Sequence, residues 1–571
     1  MIPALRLFLP ALLGLLPQAP SAAPETRGWE RLRFDHYHDE AEIEAFLRQL
    51  TARTPGLTTL VEYGRSREGR PLLAVEINNP STGPAAQKPA FYADGNIHGG
   101  EVLGGEGVLY LIQKILAGYR DDRTVRHLVD TRVFYLIPVV NPDGREISVT
   151  TPENHRWNTR PADEDGDGRV DEDPPEDLDG DGRILRMRVR DPGGKWKISP
   201  EDARLMIPRS RGEAGGPFYR VLSEGIDNDE DGRFNEDIRG GVDLNRNFPS
   251  NWSPAQFASG PYPLSEPETR ALIEYITSRP NIAAIHTFHT SGGMILRFPT
   301  LAGQDWEFPA ADIADYDAIA DAGAAITLYD NYARDKKSIV DLMHPGHGVF
   351  NDWGSKVFGV LAITTEMWKH PFAGIQELKW NDEVLDGKGF VDWHPFPHPQ
   401  LGPVELGGWD RWSTASPPPR LMEPELERNA RWVLTFAARL PRLVLRRARA
   451  TPVEGKAGFY DLDAVAANQG WMATATRQAA EVLKIARPVT ARLELSGASL
   501  ETGRQRVDLG ILPGARADRP DEEKPLHWRV RLEDPARAAR AVVVVASEKA
   551  GTKRVVLELP AVKKAVPPPR R

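Results

Sequence analysis

Four segments of strand length are apolar at odd and even positions alike: PAFYADG (89–95), TRVFYLIPVVNP (131–142), NIAAIHTFH (281–289) and GVLAITTEMW (359–368). A strand that is apolar on both parities must be covered on both faces, which is the condition of a parallel sheet flanked by helices. The intervening chain supplies such helices. EAEIEAFLRQLTA (40–52), VLGGEGVLYLIQKILAGY (102–119) and ETRALIEYITSR (268–279) all carry helical apolar spacing. Ser265, three residues before Glu268, reads as a capping box for the last of them. The expected fold is therefore α/β, with a mostly parallel mixed sheet.

Beyond about Leu440 the texture changes. ARLELSG, HWRVRLED, RAVVVVASE and KRVVLELP are short strands separated by turns, the pattern of a small all-β sandwich. The expected division is an α/β unit over 30–445, a β-sandwich over 452–562 and a disordered tail over 563–571. At the other end, residues 1–23 combine one Arg, a short Leu-rich run and small residues near Ala22, the pattern of a cleaved signal peptide. Export, into the periplasm or out of the cell, is thus expected. No later run approaches the ~18 apolar residues of a membrane span, so no membrane insertion is expected.

The chain has no Cys, which excludes disulfides, thiolate metal sites and cysteine nucleophiles. It carries 72 Lys and Arg against 81 Asp and Glu, a net charge of −9, and this argues against a nucleic-acid partner. The charge is local: residues 161–182 hold eleven acids and one base, Arg169.

Chemistry-bearing residues cluster in short motifs. His98 and Glu101 stand three apart in DGNIHGGEVLGGEG, a spacing that lets an imidazole and a carboxylate share one metal ion. The chain also carries YGRSREGRPL (63–72), NPDGRE (141–146), GVDLNRNFP (241–249), SEPETRAL (265–272), HTSGGMILRFP (289–299) and ITTEMW (363–368). With these motifs in this order, the segment over roughly 30–445 resembles the zinc metallocarboxypeptidases of the carboxypeptidase A-like family.

That resemblance implies one zinc ion held by His98, Glu101 and a strand-end His. His289 is favoured, with His286 as the alternative; three positions apart on a strand, they point to opposite faces, so only one can serve. It implies that Asn245 and Arg246 grip the substrate's terminal carboxylate, a role suited to the planar guanidinium fork. It makes Glu366 the catalytic glutamate, moving a proton from water to the leaving amine. Arg156 or Arg160 would stabilise the oxyanion. Two departures leave the substrate open. Gly100 replaces an expected substrate-binding Arg, and LMHPGHGVFNDW offers His344 and His347 in place of a flexible Tyr. Asn351 falls near the position that sets side-chain preference.

The acidic insertion, about 160–240, contains three D-x-D-x-D-G runs. These are Asp163, Asp165 and Asp167, followed by Asp171; Asp177, Asp179 and Asp181; and Asp227, Asp229 and Asp231. Alternating acids followed by Gly are features of calcium loops, although the usual Glu at position 12 is replaced by Pro174, Arg188 and Ile238. A structural Ca2+ role is expected. The resulting expectation is an exported zinc carboxypeptidase acting on peptide C-termini. Two alternatives are a relative cleaving another amide, such as a peptidoglycan stem peptide, and a catalytically idle calcium-binding or adhesive protein. Nothing in the sequence fixes the oligomeric state.

Overall fold

The computed structural model describes residues 31–163, 168–235, 239–299, 301, 308–331, 346–369 and 373–562. The signal-peptide segment, Asp165, Asp167, His344 and the 563–571 tail lie outside these residues.

The apolar runs assemble into one eight-stranded sheet. Its order is Thr58–Arg65, Pro71–Ile77, Val133–Ile137, Ala90–Gly95, Ile282–Thr290, Leu361–Met367, Met294–Arg297 and Asp330–Asn331. The middle four strands are mutually parallel, while antiparallel pairings flank them on both sides. Period-two geometry divides their side chains. Phe91, Phe134 and Leu136 join the core under helices Val102–Asp121 and Pro419–Ala438, whereas Tyr92, Tyr135 and Ile137 face Leu272, Tyr275, Phe350 and Trp353. Both faces are covered, which is why these strands read as unbroken apolar runs. The edge of Phe436 meets Phe91 with ring centroids 5.1 Å apart.

The expected capping box at Ser265 does not form. Helix Pro267–Thr277 begins after Glu266, which makes no side-chain cap bond. Ser265 Oγ instead donates to Glu266 Oε1 at 2.8 Å, because that buried carboxylate also gathers Arg67, Asn158 and Arg160.

The insertion contributes an element that the loop motifs did not foretell. Arg186–Arg190, Trp196–Ile198, Met206–Pro208 and Tyr219–Ser223 join the hairpin Phe390–His398 and Gly402–Trp409 in a six-stranded antiparallel sheet. Its small core is Met187, Val189, Val404 and Leu406.

From Leu443 onward the chain is all-β. Leu443–Pro452, Phe459–Asn468, Lys524–Leu532 and Ala498–Thr502 form one antiparallel sheet; Arg506–Gly510, Val489–Ser496, Ala539–Ser547 and Gly551–Leu559 form a second. Leu462, Trp528 and Val530 of one sheet and Leu493, Val543 and Leu557 of the other share a single core, so the two pack face to face. Among the described residues no helix is long and apolar enough to cross a membrane.

Candidate metal centre

The site lies at the carboxyl ends of the parallel strands. The chain leaves Ala90–Gly95, turns through residues 96–101 and enters helix Val102–Asp121 with Glu101 as its N-cap. The Glu101 side chain makes no cap bond and is turned toward His98 and His289. The turn is tight. A Cβ on Gly95 would stand 2.3 Å from the carbonyl oxygen of Gly104, and one on Gly99 would stand 2.4 Å from the Gly144 backbone. Only glycine allows these backbones to approach so closely.

Buried polar groups fix the turn from behind. Asn96 Nδ2 donates to the carbonyls of His98 (2.6 Å) and Gly99 (2.9 Å). Arg145, fully buried, donates to Asn96 Oδ1 (2.5 Å), to the Val102 carbonyl (2.9 Å) and to Glu106 Oε1 (2.6 Å). Glu106 is closed on its other side by His38, whose Nδ1 lies 2.8 Å from Oε2. Burial would raise the Glu106 carboxyl, but the His38 hydrogen bond and the Arg145 charge outweigh it and hold it low.

Ligand atoms of His98, Glu101 and His289 all fall within 4.8 Å of one another. Nδ1 of His98 is 2.6 Å from Glu101 Oε1, and Nδ1 of His289 is 2.9 Å from Glu101 Oε2 and 3.2 Å from Nδ1 of His98. Two ring nitrogens facing each other and one carboxylate form a donor set that suits a divalent cation such as zinc. With His98 Nδ1 holding a cation, Nε2 would carry the proton and donate to Asp243 Oδ1, 3.2 Å away, the usual outer-shell partner of a metal-bound imidazole, and Nη2 of Arg156, 2.8 Å from Nε2, would have to swing off it. The residues present therefore fit the metal.

His286 does not join this group. It leaves the other face of the sheet, with Nε2 2.9 Å from Thr365 Oγ1 and its ring edge against Phe288 and Trp432. Burial pushes its pKa down to about 3.

Arg156 stands over the ligands. Its Nη2 lies 2.8 Å from His98 Nε2, its Nη1 donates to Glu101 (3.2 Å) and its Nε donates to Asp243 (3.0 Å). Arg160 is elsewhere, paired with Glu266 at 3.1 Å. Burial would raise Asp243, but Arg156, His98 and Arg246 hold it well below the carboxylate range. The same balance operates at Glu101: burial raises it, and His98 and His289 overcome that and lower it.

Glu366 is registered opposite His289 in the parallel pair, so both side chains leave the same face. Burial, with Glu101 adding to it, raises its pKa to about 7 against the opposing pull of His289, Arg156 and Arg246. Arg246 donates from Nη1 to the Asn245 carbonyl at 2.8 Å, while its Nε is buried without a hydrogen-bond partner. Asn245 Oδ1 accepts from the Phe350 N–H at 2.9 Å, which ties it to helix Phe350–Lys356. Asn351, the next residue of that helix, is buried with Oδ1 unpartnered.

The acidic insertion brings different residues together from those its repeats suggested. Asp177 and Asp179 converge with Glu224, and Asp227 and Asp229 converge with Asp173. Asp181 and Asp231 belong to neither group; Asp231 instead accepts from the Arg233 N–H at 2.6 Å. Asp163 accepts from Gly168 N (3.0 Å), and Asp171 from Gly240 N (2.9 Å). Sequence reasoning overlooked Asp243, Glu224 and Asp173. For Asp243 the signal was present, an acid two residues before Asn245 in an already quoted motif. Asp173 closes the acidic run 163–173, whereas Glu224 had no such signal, because tertiary folding alone brings it to its group.

Comparison with known proteins bears on this site. Residues 43–376 match the family model described as zinc carboxypeptidase, and residues 442–558 match a domain family of unknown function. The chain is 33% identical to carboxypeptidase E of Caenorhabditis elegans over 126 residues, covering 22% of this chain and 27% of that protein. It is 36% identical to carboxypeptidase A2 of Rattus norvegicus over 141 residues, covering 25% and 32% respectively. These matches thus span a third or less of each relative's length. Among solved structures, carboxypeptidase A from Helicoverpa armigera is 18% identical with a TM-score of 0.43, covering 71% of this chain and 75% of that one. The family model spans more than half of the chain and includes the segments bearing His98, Glu101, Asn245, Arg246, His289 and Glu366; the chain belongs to the zinc carboxypeptidase family.

Proposed function

We propose that the protein is an exported zinc-dependent carboxypeptidase that hydrolyses the last peptide bond of peptide or protein substrates. The observation that carries this reading is the convergence of His98, Glu101 and His289 beside a buried Glu366 that leaves the same sheet face as His289. A zinc ion held by those three side chains would supply Lewis acidity and acidify a bound water.

The chain's own residues account for the remaining steps. Arg246, with an unpartnered buried Nε, and Asn245 bind the terminal carboxylate. Glu366 removes a proton from the attacking water and delivers it to the departing amine nitrogen, as the new C–O bond forms and the C–N bond breaks. Arg156, rather than Arg160, donates to the developing oxyanion, since its guanidinium already lies among the ligands. Asn351, beside the Asn245 contact, and His344 contribute to side-chain selection.

In the insertion, Asp177, Asp179 and Glu224, and separately Asp173, Asp227 and Asp229, hold structural calcium ions. One feature favours a cation at the first group: burial, with Asp179 and Asp177 adding like charge, raises Glu224. Residues 1–23 direct export. The deciding experiment is hydrolysis of blocked dipeptides and muropeptides by the zinc-loaded protein, with Glu366→Gln as control. Release of a free C-terminal amino acid from the dipeptides by the parent, and loss of that release in the variant, supports the reading. Cleavage of muropeptides alone would move the substrate to the cell wall.

A further inference from the structure

A cleft of about 660 Å³ opens between the insertion sheet and the 152–157 segment. Its walls include Trp157, Trp196, Trp393, Trp409 and Phe390, four tryptophans and a phenylalanine around one opening. Phe390 meets Trp409 edge-on at 5.2 Å, which holds the ring wall in place.

The cleft and the metal-centre turn share Asn154 as a wall between them. That residue lines the cleft, and its Oδ1 lies 2.0 Å from where a Cβ on Gly100 would stand, between His98 and Glu101 in sequence. Two residues on, Arg156 carries the guanidinium that touches both ligands. The carboxylate-binding pair Asn245 and Arg246 lies by the Phe350 helix and takes no part in the cleft walls. The cleft is therefore distinct from the place where that pair would hold a substrate's C-terminus.

The charged groups of the walls are already engaged. Arg204 forms paired contacts to Asp382 (2.8 and 2.7 Å) and reaches Asp202 (2.9 Å). Arg411 donates to the carbonyls of Glu153, Ser148 and Thr151. Arg186 donates to Ser223 Oγ at 3.2 Å, and Glu153 lies 2.9 Å from His155 Nδ1. What remains to contact an occupant is mainly aromatic and aliphatic surface, with the exposed Arg186 guanidinium, bonded to a hydroxyl, as the polar exception.

We infer that this cleft is a subsite for apolar and aromatic side chains on the acyl side of the scissile bond, so that the enzyme prefers extended peptides rich in such residues. The inference rests on the proposed carboxypeptidase reading. It assigns a role to the insertion sheet and to the hairpin 390–409, which lies beyond the stretch matched to the family model.

The test uses the full zinc-loaded protein and blocked peptides sharing one C-terminal dipeptide. These are the dipeptide itself and tetrapeptides extended by Phe-Phe, Ser-Gly, Glu-Glu or a saccharide-bearing pair. The Phe-Phe peptide should exceed the dipeptide in kcat/KM by about tenfold or more, in line with burying two aromatic side chains. Trp393→Ala should remove most of that gain while leaving dipeptide hydrolysis within about twofold. Trp196→Ala, at a residue already 36% exposed, repeats the test at a position whose loss threatens folding least. Equal rates for all tetrapeptides, a larger gain from the acidic or sugar-bearing one, or a gain that survives both substitutions would overturn the inference.

If no peptide is hydrolysed, the functional reading fails. The cleft is then judged by calorimetric binding of the same peptides to Glu366→Gln. Tighter binding of the Phe-Phe peptide that Trp393→Ala abolishes supports the subsite; equal affinities refute it.

Discussion

Asp243 Oδ1 lies 3.2 Å from Nε2 of His98, while its Oδ2 accepts from Nε of Arg156 at 3.0 Å. One buried carboxylate thus contacts both the imidazole proposed to hold zinc and the guanidinium assigned to the oxyanion. Asp243→Asn keeps the shape but loses the charge that favours an Nε2–H on His98. Zinc affinity should fall roughly 10–100-fold, measured by competition with a chromophoric chelator. Unchanged affinity would show that Asp243 serves only Arg156.

Glu366 must be ionised to act as a base, and burial places its pKa at about 7. The active form is the deprotonated one, so log kcat/KM should rise with pH through a midpoint of about 7 and level off above it. A neighbouring zinc would lower that midpoint. Glu366→Gln should lose about 10²–10⁴-fold in kcat/KM and the acid limb with it. A variant that retains the same limb would assign the limb to another group.

Arg246→Ala removes the proposed charged partner of the substrate carboxylate. Charge-assisted hydrogen bonds contribute about 1.5–3 kcal/mol, so kcat/KM should fall by roughly 10–150-fold. The same loss should follow when the parent is given a C-terminally amidated substrate, and combining the two should add little. Full additivity in this double cycle would mean that Arg246 acts elsewhere.

Much of this site is legible in the sequence because its chemistry is local in the chain. His98 and Glu101 share one turn, and alternation along a single strand makes His286 and His289 exclusive alternatives. The sheet is legible because burial on both faces leaves unbroken apolar runs. What escapes is whatever needs distant segments. RMRVR (186–190) alternates Arg with apolar residues, yet it lies between two partners, residues 219–223 and residues 405–407, the second more than 200 positions later. The grouping of Glu224 with Asp177 and Asp179 is equally non-local. At Ser265 the local motif misleads, since a buried Glu266 draws the hydroxyl away from capping.

The Glu106 network makes a stability prediction. Arg145 and Glu106 are both fully buried, so Glu106→Ala strands a buried guanidinium and should cost about 3–5 kcal/mol in denaturant unfolding. Because Glu106 titrates lower in the folded state, its contribution is complete above an unfolded pKa of about 4.3 and is lost as pH falls below it. Glu106→Gln should therefore show a shallower loss of stability below pH 5 than the parent. An equal slope would exclude Glu106 as a source of acid sensitivity.

Calcium at the insertion should act as a ligand of the folded state alone. At a hundredfold excess over its Kd it would add about 2.7 kcal/mol, seen as a Tm raised by Ca2+ and lowered by a calcium-selective chelator. Asp177→Asn should reduce that shift. A Tm indifferent to Ca2+ would remove calcium from the account.

The most direct test of the metal centre is zinc content, measured by mass spectrometry on purified, zinc-equilibrated and desalted protein. The geometry predicts one zinc per chain in the parent and in His286→Ala, and none in His289→Ala, because only His289 faces His98 and Glu101. Zinc retained by His289→Ala and lost from His286→Ala would contradict it.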